Sequence, residues 1–115
     1  MENINMIRDM LKKENVQIVQ NVVDWKDAIR TSVQPLVEGH YVEERYIDGV
    51  IENTNIYGPY YVLAQDLALI HARSDQGVIE KQLAVTVLKE PIKFSEDGYS
   101  VRLLVVLAAA DGESH

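Results

Sequence analysis

His71 closes a short apolar run, Leu67-Ala68-Leu69-Ile70, and opens a polar one, Ala72-Arg73-Ser74-Asp75-Gln76-Gly77. A strand that delivers a histidine at its carboxyl end into a polar loop is a common site geometry, because ligands of α/β sheets sit outside the carboxyl ends of strands. The neighbours suit an anion. Arg73 offers a charge-assisted bond to a phosphoryl oxygen, Ser74 a hydroxyl, and the backbone amides near Gly77 a nest. Imidazole is largely neutral at pH 7, so one ring nitrogen can attack phosphorus. The transition state of phosphoryl transfer is loose, so the protein mainly positions groups and stabilises charge, and no metal or other cofactor is required. A single histidine at a strand end is also an ordinary surface residue, and spacing alone leaves both readings open. His40, beside Gly39, reads as a cap or turn residue. His115 reads, on position alone, as a chain-end residue.

The elements that must hold His71 follow from periodicity. Ile4, Ile7 and Leu11 form one stripe of a helix over 1–13, and Val16-Gln17-Ile18-Val19-Gln20 is a short strand. Asp24 is a plausible N-cap for a helix from Trp25 to Glu38. Pro35 inside it removes a donor and crowds Thr31, which predicts a kink, and Gly39 ends it. A third helix is predicted from Glu43 to Tyr57, with Tyr46, Ile47, Val50, Ile51 and Thr54 at helical spacing. Gly58-Pro59 breaks the pattern, and strands follow over 60–63, 67–70, 83–88 and 101–109. Pro91 and Asp97-Gly98 are expected to mark turns. The run from Val101 to Ala109 is nearly all apolar, which predicts a central strand covered on both faces. Helices first and strands after give an α/β (α+β) domain, a mixed central sheet flanked by helices.

The chain has 115 residues, one domain's worth. It has no cysteine, which excludes disulfides and thiolate metal sites. The net charge of −7 argues against nucleic acid. No apolar stretch approaches the roughly 20 residues of a membrane helix and no signal peptide is evident, so neither membrane insertion nor export is expected and a cytoplasmic location is.

The segment Gly58-Pro59-Tyr60-Tyr61-Val62-Leu63-Ala64-Gln65-Asp66-Leu67-Ala68-Leu69-Ile70-His71-Ala72-Arg73-Ser74-Asp75-Gln76-Gly77-Val78 resembles the active-site segment of the mannitol/fructose-type IIA superfamily of bacterial sugar phosphotransferase systems, the ascorbate-type branch most of all. Val42-Glu43-Glu44-Arg45-Tyr46-Ile47-Asp48, Leu88-Lys89-Glu90-Pro91-Ile92-Lys93-Phe94 and Leu107-Ala108-Ala109-Ala110-Asp111-Gly112-Glu113-Ser114-His115 agree in the same order. The resemblance implies a phosphocarrier. His71 would take a phosphoryl group from the small carrier HPr and pass it to a cognate IIB, and so indirectly to IIC. It also implies that His115 lies near His71 and helps hold the phosphoryl group. Three features depart from the family: Ile70 replaces the usual proline, Asn53 stands near an expected arginine whose role would be unfilled or pass to Arg73, and the family continues for a helix or two beyond His115. The chain would then be a single IIA domain over 1–115 that lacks its C-terminal helical segment. Its last strand would be left short of cover, so the sequence predicts a homodimer or a marginally stable monomer.

Two other readings compete. IIA-like domains also occur within transcriptional regulators controlled by phosphorylation. A metal-binding module with His71 and His115 as ligands is a poor fit, because no carboxylate pattern accompanies them. The sugar itself is not legible, since it is IIB and IIC that set specificity.

Overall fold

A computed structural model gives the architecture of the chain, with residues 12–109 described. A 3-10 turn (Lys13–Asn15) leads into β1 (Val16–Val19). Two helices follow, α1 (Trp25–Glu38) and α2 (Arg45–Tyr57), then β2 (Val62–Ala64) and β3 (Asp66–Ile70). A second 3-10 turn (Ser74–Gln76), β4 (Gln82–Lys93) and β5 (Ser100–Ala108) complete the fold. The five strands form one sheet in the order β1-β4-β5-β3-β2. β1 runs parallel to β4 and β3 parallel to β5, while β2–β3 and β4–β5 are antiparallel. The expected mixed sheet with flanking helices is therefore present. Of the helix predicted over 1–13, residues 1–11 lie outside the described residues, and Lys13 belongs to the 3-10 turn. Among the described residues no helix is long and apolar enough to cross a membrane.

α1 begins as its sequence demands: the Asp24 carboxylate accepts the Asp27 N–H at 2.8 Å. Pro35 sits in the helix, which continues to Glu38. The Thr31 carbonyl that proline leaves without a helical donor accepts the Gln17 side-chain amide at 2.8 Å, and the same amide nitrogen reaches Thr86 Oγ1 at 3.0 Å. Gly39 closes the helix against the Tyr41 ring, where a Cβ would lie 2.6 Å from the ring edge. His40 takes the left-handed conformation, at φ 65°, so the turn reading of this residue holds.

α2 starts at Arg45, two residues later than its pattern suggests. The Glu43 N–H is held by the Gly77 carbonyl at 2.7 Å and Val42 bridges Val78, which keeps that backbone extended. Gly58, at φ 81°, ends the helix, and its N–H caps the Thr54 carbonyl at 2.8 Å.

Two strand expectations need correction. Tyr60 and Tyr61 precede β2, which begins at Val62. Pro91 marks no turn: it lies within β4, where the register with β5 shifts between Val87 and Ile92. A proline lacks the donor a ladder needs and is tolerated at such an irregularity. Asp97-Gly98 does turn the chain, with the Gly98 N–H on the Ser95 carbonyl at 3.1 Å.

One face of the sheet carries the core. Ala68, Ile70, Ala84, Leu88, Val101, Leu104, Val106 and Ala108 join Ala28, Ile29, Val33, Leu36, Tyr46, Ile47 and Val50 of the helices in a single buried cluster. Burying each large apolar side chain there contributes about 1.5–3 kcal/mol. β5 is central, as expected, but it is not covered equally on both faces. Its burial alternates, with Leu103, Val105 and Leu107 only half-buried, because both described helices pack on the other face.

Candidate functional site

The site lies at the carboxyl end of β3, where the parallel β3–β5 pair comes apart. The ladder runs to Ile70 opposite Val106. His71 is the next residue. Its Nδ1 lies 2.8 Å from the Leu69 carbonyl oxygen. A carbonyl only accepts, so Nδ1 carries a proton, and in the neutral ring the lone pair is then on Nε2. The Tyr60 hydroxyl donates to the His71 carbonyl. The Tyr60 ring stands edge-on to the imidazole, with centroids 5.1 Å apart at 86°. Backbone, tautomer and ring plane of the histidine are thus each fixed by a separate contact.

Tyr60 is in turn braced by Tyr61, whose ring lies 4.9 Å away, and Tyr61 is anchored deep in the core. Its hydroxyl shares a 2.8 Å hydrogen bond with Thr54 Oγ1, and burial pushes its phenol up to about 12. The Leu69 N–H bonds the Tyr61 carbonyl at 2.8 Å, tying this segment to β3 just before the histidine.

A cavity of about 400 Å³ opens beside the imidazole, lined by Asn53, Tyr57, Tyr60, His71, Ala72 and Arg73. Its walls are mainly aromatic and aliphatic. Burial raises the Tyr60 phenol pKa, against a lowering contribution from an Asn53 hydrogen bond, so this wall stays uncharged.

The structure brings His71 and Arg73 to one cavity. Arg73 is exposed and pairs with Asp75, Nε to Oδ1 at 3.1 Å. Ser74 opens the 3-10 turn, and its carbonyl accepts the Val78 N–H at 3.1 Å. His115 lies outside the described residues. The expected amide nest near Gly77 is not formed by residues 76–78. Their N–H groups are taken by the carbonyls of Arg73 and Ser74, at 2.9 Å for Gln76, 3.4 Å for Gly77 and 3.1 Å for Val78. The Arg73 N–H is taken by Gln76 Oε1 at 3.0 Å.

Sequence reasoning missed the groups that hold this loop. Asn53 and Gln76 exchange two side-chain hydrogen bonds, at 2.9 and 3.3 Å. Tyr46, read only as part of an apolar stripe, aims its hydroxyl at Ala72 and Leu107. The spacing of Tyr46 and Asn53, seven apart on one helix face, was the available signal.

Comparisons with known proteins show the family and the fold. Residues 9–115 match the family model described as phosphoenolpyruvate-dependent sugar phosphotransferase system, EIIA 2. An ascorbate-specific EIIA component of Mycoplasma pneumoniae is 35% identical over 100 residues, covering 87% of this chain and 63% of that protein. The solution structure of the mannitol-specific cryptic enzyme IIA from Escherichia coli superposes with a TM-score of 0.87 at 31% identity, over 95% of this chain and 74% of that one. The Escherichia coli mannitol IIA, solved in complex with phosphorylated enzyme IIB, shares the fold at a TM-score of 0.77 and 24% identity, over 90% of this chain and 74% of that chain.

Proposed function

This chain belongs to the EIIA 2 family of the phosphoenolpyruvate-dependent sugar phosphotransferase system, and we propose that it is a histidine phosphocarrier that accepts a phosphoryl group from phospho-HPr on His71 and passes it to a cognate IIB. The observation that carries this reading is the tautomer. With Nδ1–H held by the Leu69 carbonyl, Nε2 is left as the nitrogen available for attack. Its lone pair forms the new N–P bond as the donor's N–P bond breaks, and the electron pair of the broken bond returns to the donor imidazole. The reverse sequence, with IIB as acceptor, discharges His71. In both directions the phosphoryl group arrives with its own charge, and Arg73 beside the cavity suits its oxygens.

His115 and Ser74 are assigned supporting roles, His115 in holding the phosphoryl group and Ser74 in offering a hydroxyl to it. Tyr57 and Tyr60 line the cavity beside the imidazole and supply an apolar wall on that side. The site of action is the cytoplasm, where the proposed donor and acceptor meet.

The test is labelling from phosphoenolpyruvate through purified enzyme I and HPr. The wild-type chain should acquire acid-labile label. His71→Ala should acquire none, while His115→Ala should label on His71 more slowly by about 10²–10³-fold, the scale of one lost charge-stabilising group. Normal labelling of His71→Ala overturns the reading.

A further inference from the structure

The β3–β5 ladder stops where it does for a visible reason. Ile70 pairs with Val106. Two residues further on, Ala72 would face Ala108, and in a parallel ladder of this register its N–H would bond the Leu107 carbonyl. The Tyr46 hydroxyl occupies that place instead. It accepts the Ala72 N–H at 3.0 Å and donates to the Leu107 carbonyl at 2.9 Å. A phenol has one proton to give, so the longer 3.4 Å approach to the Ala72 carbonyl is secondary. One oxygen atom has been inserted between two strand ends that would otherwise zip together.

The insertion is rigid. Tyr46 is fully buried, its ring among the core side chains of α2 and the sheet. Burial also raises its phenol pKa, so the hydroxyl stays a donor. Further along the same face of α2, Gly49 leaves room for Gln76, where a Cβ would meet that side chain at 3.1 Å, and Asn53 holds the Gln76 amide. One helix face therefore grips residues 72 and 76 directly, and residue 73 through Gln76, just after the histidine.

We propose that Tyr46 is a positioning residue for phosphoryl transfer: its hydroxyl, wedged between Ala72 and Leu107, holds the ends of β3 and β5 apart and so aims His71 Nε2 at the incoming phosphoryl group. This rests on the reading of His71 as the acceptor. Tyr46 touches no reacting atom.

Tyr46→Phe removes the oxygen and little else. The Ala72 N–H should then close onto the Leu107 carbonyl and extend the ladder. In single-turnover transfer from phospho-HPr, kcat should fall about tenfold, the effect of one misplaced hydrogen-bonded contact on a barrier. KM for phospho-HPr should change less than twofold, because the docking surface is untouched. Nuclear magnetic resonance supplies a second readout, a through-hydrogen-bond coupling from the Ala72 nitrogen to the Leu107 carbonyl carbon, absent in the wild type and present in the variant. An unchanged kcat in folded Tyr46→Phe overturns the proposal, as does a loss that tracks only the unfolded fraction on thermal melting. Should the wild type itself take no phosphoryl group, the reading of His71 fails. The coupling then decides whether Tyr46 is a wedge: its appearance supports the wedge and its absence overturns it.

Discussion

His71 is defined by what its other nitrogen does. The Leu69 carbonyl claims Nδ1, so phosphorylation is expected at Nε2 only. Two-dimensional nitrogen–proton spectra of the phosphorylated protein distinguish the two isomers through the ring couplings, and a product substituted at Nδ1 would contradict the tautomer. At this scale the sequence was informative about identity and poor on geometry. His71 and Arg73 stand within one contiguous segment, so their shared cavity was legible from order alone. The donor and acceptor states of the imidazole were not, because they depend on a carbonyl two residues back whose direction is set by the end of β3. Ile70, at the position usually held by proline, is fully buried in the core. It fixes the residue before the histidine by packing rather than by a locked φ.

Among the elements, α2 does the most to shape the site, and it does so through pairs far apart in sequence. Asn53 is buried, and its amide partner Gln76 is 23 residues away. Asn53→Ala should leave the Gln76 amide short of partners and cost about 1–3 kcal/mol. Gln76→Ala should cost a similar amount. The double variant should cost less than the sum by about 1 kcal/mol, since the second deletion removes a group already unpaired. Denaturant melts of the four proteins give the cycle, and strict additivity would show that the pair does not hold the loop. Helix positions, caps and the breaks at Gly58 and Gly39 were legible because they depend on neighbours within a turn. Two features were not. Pro91 looks like a turn in any local reading, yet it is absorbed where β4 slips register against β5. The late start of α2 follows from the Gly77 carbonyl holding the Glu43 N–H, a contact between segments that no local pattern contains.

At the scale of the whole molecule the two faces of the sheet differ. The two described helices pack on one. The other carries Val16, Ile18, Leu67, Leu69, Leu83, Val85, Val87, Leu103, Val105 and Leu107, all exposed or half-buried. The paired registers of Val16 with Val85, Val85 with Val105 and Leu69 with Val105 set these side chains next to one another on that face. Surfaces of this kind beyond several hundred Å², roughly the monomer limit, drive association. The 115-residue protein is therefore expected to dimerise or to melt low, and Val105→Lys should shift it toward monomer. Light scattering behind a sizing column, with melts alongside, decides the matter. A strict monomer melting above roughly 65 °C, beyond the common mesophile range, would show that this face needs no cover.

The strand order also sets a schedule. β5 is the last of the described strands to be synthesised, yet it lies at the centre of the sheet and is the only link between β4 and β3. A nascent chain that has emerged as far as Tyr99 holds two half-sheets with no strand pairing between them. Neither half can carry the site, since Tyr46 reaches its second partner only at Leu107. Closure of the domain must wait for residues 100–108 to clear the ribosome, and until then both inner edges, of β3 and of β4, offer unpaired backbone to any strand nearby.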